Sequence, residues 1–209
     1  MEPTSIKSYL EELSTTADRI LLLQGPIGTF FSDFADWLHQ QCGKTVFKLN
    51  FNAGDELCFP ATKPNTFAYT DTFQAFPDFL SAFIREHRIE AVVCFGDTRP
   101  YHIAAKSVVH ALGNVSFWAF EEGYFRPYFV TLEKSGVNAY SPLPRDARFF
   151  ADAYPRLSRQ SYQDPAPVPA GFLPVAKQAI RYYVAARLHQ RRYPHYIHHR
   201  INHIGPYAK

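Results

Sequence analysis

Four short stretches collect the residue types that carry polar chemistry: QGPIG (24–28), NAGDE (52–56), GDTRPYH (96–102) and EEGYFRP (121–127). They contain Gln24, Gly25, Asn52, Asp55, Asp97, Arg99, His102, Glu121, Glu122, Tyr124 and Arg126. A carboxylate can act as nucleophile or general base, and an arginine fork matches a carboxylate or phosphate group in a bidentate way. Asp97, with Arg99 and His102 close behind it, fits a reacting carboxylate whose neighbours steer an anionic substrate. The same spacing also fits an Asp97 that caps the next helix or pairs with Arg99. Glu121 and Glu122 end the apolar run FWAF. An unpaired carboxylate is costly to bury, so such residues either reach water or do chemistry. Neighbours on a strand point to opposite faces, so the two glutamates are expected to do different jobs. One can serve as acid, base or electrostatic partner of an oxocarbenium-like centre, and the other can pair with Arg126. The amides of QGPIG fit either an anion site or a tight structural turn, because neither Gly-Lys-Ser/Thr nor GxGxxG is present.

What must position these residues is legible from the apolar pattern. RILLLQG (19–25), KTVFKLNFN (44–52), IEAVVCFGD (89–97) and VSFWAFEEG (115–123) read as strands, and the unbroken runs LLL and AVVCF suit parallel strands buried on both faces. Helical spacing lies between them: Phe30, Phe34, Trp37 and Leu38; then Phe76, Phe79, Leu80 and Phe83; then Ile103, Val108 and Leu112. Gly43 and Gly113 stand where two of these helices should stop. Alternating strands and helices predict an α/β fold, a Rossmann-like parallel sheet flanked by helices. Ligands of such a sheet bind at the carboxyl ends of its strands, which is where all four polar stretches fall. The expected organisation is an N-terminal helical or loose segment over 1–18, the α/β domain over 19–145, a proline-rich linker over 146–174 and a basic helical tail over 175–209. Residues 124–165 show no strong period and read as loop. The tail's helix carries Val175, Ile180, Tyr183, Val184 and Leu188 on its apolar side.

A hydrophobic content of 46% excludes a disordered chain, and the 16% aromatic content suits a core of large rings. No apolar stretch reaches the ~20 residues of a membrane span. Cys42, Cys58 and Cys94 are widely spaced without CxxC, which indicates neither a disulfide framework nor a zinc ribbon and fits a reducing cytoplasm. From Pro165 onward there are seven Lys or Arg, five His and no acidic residue; residues 1–164 hold 15 basic and 19 acidic residues, a net of −4 against +7. Such a tail calls for an acidic partner, and an anionic membrane surface suits it better than nucleic acid, for which no reading module is visible. His195, His198, His199 and His203 could line one helical face, but with no HExxH or cysteine partner a basic packing surface is the expectation and no metal site is assigned.

LLLQGPIGTFFSDFADWL, NFNAGD, VVCFGDTRPYH, AFEEGYFRPYFVTLEKSGVNAYSPLPRD and PHYIHHR resemble, in that order, the capsular polysaccharide biosynthesis and export proteins of the KpsS/LipB type. The resemblance implies a retaining β-Kdo glycosyltransferase of Gram-negative bacteria, GT-B-like, with two Rossmann-like halves and no need of a metal or other cofactor. It implies CMP-Kdo as donor and a phosphatidylglycerol-type lipid as acceptor, at the cytoplasmic face of the inner membrane. Family members run on for about as long again, so this chain corresponds to an N-terminal, acceptor-side half, with a C-terminal donor half on another chain as an expected partner. In a double displacement, Asp97 would be the nucleophile and Glu121 or Glu122 the acid/base or electrostatic partner. Gln24, Gly25, Asn52, Arg99, His102, Tyr124 and Arg126 would hold substrate. The alternative is a non-catalytic glycolipid- or partner-binding module of the export assembly.

Overall fold

The computed structural model describes residues 8–123, 129–156 and 172–198. Helix α1 (Tyr9–Thr16) opens on a capping box, in which the Ser8 hydroxyl accepts from the Glu11 amide while the Glu11 carboxylate accepts from the Ser8 amide. There follow β1 (Arg19–Leu22), α2 (Phe30–Cys42), β2 (Thr45–Asn50), α3 (Ala53–Cys58), β3 (Thr66–Ala68), α4 (Phe76–Glu86), β4 (Ala91–Phe95), α5 (Pro100–Leu112), β5 (Ser116–Glu122), β6 (Val130–Lys134), α6 (Ala147–Ala153) and α7 (Phe172–Leu188). The six strands form one sheet in the order β3-β2-β1-β4-β5-β6, parallel throughout except for β6, which runs antiparallel to β5.

This is the Rossmann-like sheet that the four apolar runs predict, with a strand added at each edge. β3 is three residues long, too short for a periodic signal. β6, VTLEK, lies in the stretch read as loop, because at an edge only Glu133 is fully buried and the apolar positions stay partly exposed. Alternation along the strands divides the core. Ile20, Leu22, Val93, Trp118 and Phe120 face α1 and α2, whereas Leu21, Leu23, Val92, Cys94, Phe117 and Ala119 face α4 and α5. Both α2 and α5 end where expected, at Gly43 (φ 67°) and Gly113 (φ 71°) in the left-handed region.

Phe30, Phe34 and Leu38 of α2 and Val108 and Leu112 of α5 pack against the core as expected, and one residue of each helix does not. α2 buries Phe31, Phe34, Ala35 and Leu38 and leaves Trp37 partly exposed, and α5 buries Tyr101, His102, Ala105 and Val109 while Ile103 faces out. α7 departs most. It packs on α3, its less exposed side carrying Ala176, Ala179, Tyr182, Ala185 and Ala186, and its large aliphatics Leu173, Val175, Ile180, Val184 and Leu188 are all exposed, 49–78%.

Candidate functional site

The chain leaves β1 toward β2 on one side and later returns to place β4 on the other side of β1. The carboxyl ends of β1 and β4 therefore flank the point where the winding direction changes, the crevice in which open α/β sheets bind ligands. QGPIG continues β1 and GDTRPYH continues β4, so Gly25, Gly96, Asp97 and Arg99 are delivered there. Arg99 precedes Pro100 at the start of α5, and its guanidinium donates to the Gly25 carbonyl at 3.2 Å, tying the two strand exits together. Gly96 has a φ of +72° and no side chain. Glu121 Oε2 and Arg99 Nε lie 3.8 and 3.9 Å from where its Cβ would stand, so the carboxylate at the end of β5 and the guanidinium at the start of α5 both approach one glycine. Asn138 donates to the same Glu121 Oε2 at 3.4 Å. Glu121 is half-buried on the α5 side of the sheet; Glu122, one residue on, is exposed on the other side. The alternation argument thus separates the two glutamates, and Glu121 is the one at the crevice.

Asp97 is 4% exposed, and its Oδ2 accepts from the Val137 amide at 3.1 Å. The loop after β6 closes over it: a Cβ on Gly136, whose φ is +152°, would stand 2.9 Å from the same oxygen. α5 begins without a side-chain cap, so Asp97 is not its capping residue. The aspartate also borders a cavity of about 1170 Å³ that runs along α5 past Ile103, Lys106, Ser107 and Tyr140. His102 is fully buried and its Nδ1 bonds the Gly96 carbonyl, bracing the turn that carries Asp97.

Gln24, Asn52 and Asp55 sit at the β1 and β2 exits but are drawn into a different cluster. Asn52 caps α3, its Oδ1 accepting from the Asp55 amide at 3.0 Å. Asp55 accepts from the Phe51 amide at 2.9 Å, from Gln24 Nε2 at 3.1 Å and from the Tyr182 hydroxyl at 2.9 Å. Asn52 Nδ2 donates to that hydroxyl at 2.9 Å, and Gln24 Nε2 donates to the Tyr196 hydroxyl at 2.9 Å. Burial first, then the Asp55 charge, pushes both tyrosine hydroxyls well above their ordinary range, so they stay protonated. Gly54 leaves room for the Tyr182 ring, which would lie 2.6–2.8 Å from an added Cβ. The tail is therefore seated on the strand-exit rim, and Arg192 and Tyr193 extend the contact by binding Glu56 at 2.8 Å and 2.6 Å. Neither tyrosine was reachable from sequence spacing; the stripe of small residues around Tyr182 was the available signal of a docking face, and the large aliphatics outweighed it.

Lys48, mid-strand in β2 and 2% exposed, was not singled out from the sequence either. Its Nζ donates to the Leu49 carbonyl at 2.6 Å and lies 5.9 Å from the centroid of the Phe59 ring. Burial pulls its pKa from 10.5 down to about 8, with Asp55 opposing the shift. Of the remaining candidates, Tyr124, Arg126, His199 and His203 lie outside the described residues. His195 is exposed, and His198 packs its ring against Tyr183 and Tyr196. No described helix is long and apolar enough to cross a membrane.

A mostly parallel, Rossmann-like sheet with Glu121 and Arg99 near its switch point places the chain in the class of open α/β domains, and comparison with known proteins narrows it. The family model described as capsule polysaccharide biosynthesis protein matches residues 90–209, so the chain belongs to that family. It is 54% identical over 209 residues to the capsule polysaccharide modification protein LipB of Neisseria meningitidis serogroup B, covering 100% of this chain and 49% of LipB. It is 39% identical over 186 residues to the capsule polysaccharide export protein KpsS of Escherichia coli, covering 87% of this chain and 45% of KpsS. The chain thus spans about half the length of the curated relatives it matches. A solved leucoanthocyanidin reductase–NADPH complex from Vitis vinifera, 17% identical over 46% of this chain and 31% of that one with a TM-score of 0.30, is too distant to carry an argument.

Proposed function

We propose that this capsule polysaccharide biosynthesis protein takes part in transferring Kdo from CMP-Kdo to a phosphatidylglycerol-type lipid acceptor, contributing the acceptor-side half of a GT-B-like enzyme. The observation that carries the reading is the approach of both Glu121 and Arg99 to Gly96 at the switch point, with Asp97 as the next residue. In a double displacement, an Asp97 carboxylate oxygen would bond to the anomeric carbon as the bond to the CMP phosphate oxygen breaks. The acceptor hydroxyl would then displace Asp97, losing its proton to Glu121, while Arg99 holds the Kdo carboxylate. Gly25 presents the carbonyl that orients Arg99, and His102 fixes the turn that carries Asp97. Gln24 and Asn52 take a supporting part through the network beneath Tyr182 and Tyr196. Peripheral contact with the cytoplasmic face of the inner membrane belongs to this reading. The outer face of α7 supports it, with exposed Leu173, Ile180, Val184 and Leu188 beside Lys177, Arg181 and Arg187 and no acidic residue.

The test is Kdo transfer from CMP-Kdo to the lipid acceptor by the purified chain, alone and together with a complementing C-terminal half. Transfer by the combination is expected, and its absence in both would reject the reading. One observation favours a second, non-catalytic reading as a glycolipid- or partner-binding module: Asp97 is almost wholly enclosed and bonded to Val137. On that reading Asp97→Ala would leave complementation of a capsule-deficient strain intact, whereas catalysis requires that capsule be lost.

A further inference from the structure

Seven basic residues without one acid after Pro165 pose a question that the transfer site at β1 and β4 does not answer, namely where the tail directs its charge. Arg192 is accounted for. Its guanidinium is bound to both oxygens of Glu56, at 2.8 and 2.9 Å. Arg187 and Arg191 behave differently. Both line a cavity of about 810 Å³ between α7 and the 190–198 segment, and among the described residues no carboxylate lines it with them. Arg187 is held in place by a bond to Gln190 Oε1, a neutral acceptor that orients the guanidinium without neutralising it.

We propose that this cavity binds a phosphate-bearing ligand, with Arg187 and Arg191 as its anion clamp. Its volume falls within the ~300–1,000 Å³ of small-molecule sites, and two forks at one opening suit the oxygens of a phosphate better than a single lysine would. The walls suit the remainder of such a ligand. Tyr183 and Tyr196 line it with aromatic rings, fit to pack against a sugar, a glycerol unit or a base. Tyr196 is fixed from behind, stacked on Tyr101 with centroids 5.9 Å apart and an interplanar angle of 8°, and bonded through its hydroxyl to Gln24. Asn52 lines the same cavity. The cavity therefore borders the exit of β2, where Asn52 caps α3. The cavity chemistry stands by itself; the choice of which phosphates to try rests on the transfer reading.

Isothermal titration of the full chain with CMP, glycerol 1-phosphate and inorganic phosphate separates the two sources, a nucleotide and a lipid headgroup. The wild type is expected to bind at least one of them, and the preferred probe assigns the source. Arg187→Gln/Arg191→Gln should weaken that binding about tenfold or more, the loss expected for charge-assisted bonds. Arg85→Gln, which removes an exposed cation of α4 outside the cavity, should leave it unchanged. Arg191→Gln alone serves if the double variant is unstable. The proposal is overturned if no probe binds, if the arginine variants bind as well as the wild type, or if Arg85→Gln weakens binding equally. Failure of Kdo transfer with phosphate binding intact would reject the transfer reading and leave this cavity assigned.

Discussion

Lys48 shows how far a single residue can stand from its expected surroundings. A cation on the central face of a parallel sheet loses its hydration, and a carbonyl, a ring face and the Asp55 charge compensate only in part. Because its folded pKa is lowered from 10.5 to about 8, the unfolded chain binds more protons between those values, and stability must rise with pH across that window. Below about pH 8 both states are protonated and the full penalty, on the order of 3 kcal/mol, is present. Lys48→Met should therefore be at least as stable as the wild type at pH 7, with the difference shrinking between pH 8 and 10.5. Urea unfolding at several pH values measures this, and a constant difference across pH 8 to 10.5 would show that the folded and unfolded pKa values coincide, as they do for a solvated lysine. At the same scale, the rim residues Gln24, Asn52 and Asp55 were visible in the sequence as polar groups at strand exits. Their partners were not, since Tyr182 and Tyr196 are 158 and 172 residues from Gln24 and no local period encodes a bond across that separation.

Among the elements, α7 carries the sharpest lesson. Hydrophobic periodicity assumes that the large apolar residues of a helix face the core, and here alanines and one tyrosine do, because α3 offers a close surface with a glycine at its centre. Gly54→Ala should raise the intrinsic helix propensity of α3 by up to ~1 kcal/mol, yet its methyl would meet the Tyr182 ring and lift α7 from the rim. Faster amide exchange across 172–198, with the sheet unaffected, is the expected result; unchanged exchange would mean that the ring yields without cost. The exposed face should be indifferent in solution. Ile180→Ser removes a side chain that is 62% exposed and should shift stability by less than ~0.5 kcal/mol, as thermal melting will show; a loss of 2 kcal/mol or more would mean that this face is covered in the free protein. β1, β4 and β5 were legible because burial on both faces makes them mostly apolar, and β2 was legible from Val46, Phe47 and Leu49 despite Lys48. β3 and β6 were not, since an edge strand of three or five residues needs neither length nor alternation.

For the molecule as a whole, topology turns scattered motifs into a site. The order β3-β2-β1-β4-β5-β6 puts the β1 and β4 exits side by side and brings the end of β5 next to them. That is why QGPIG, GDTRPYH and the end of FWAFEE, separated by up to about 100 residues of chain, converge on Gly96. The rule that ligands gather at strand carboxyl ends was enough to nominate the residues, but not to divide them. Only the fold separates the Glu121–Arg99–Asp97 crevice from the network that seats the tail, and Glu121 from Glu122. The central claim is that Glu121 acts in sugar transfer at that crevice. Its most direct test is the rate of Kdo transfer from CMP-Kdo to the lipid acceptor by Glu121→Gln and wild type, each with the complementing half and with melting temperatures compared. Loss of a general base predicts a fall of about 10²- to 10⁴-fold with melting unchanged. Equal rates in the two proteins would contradict the assignment and place the chemistry elsewhere.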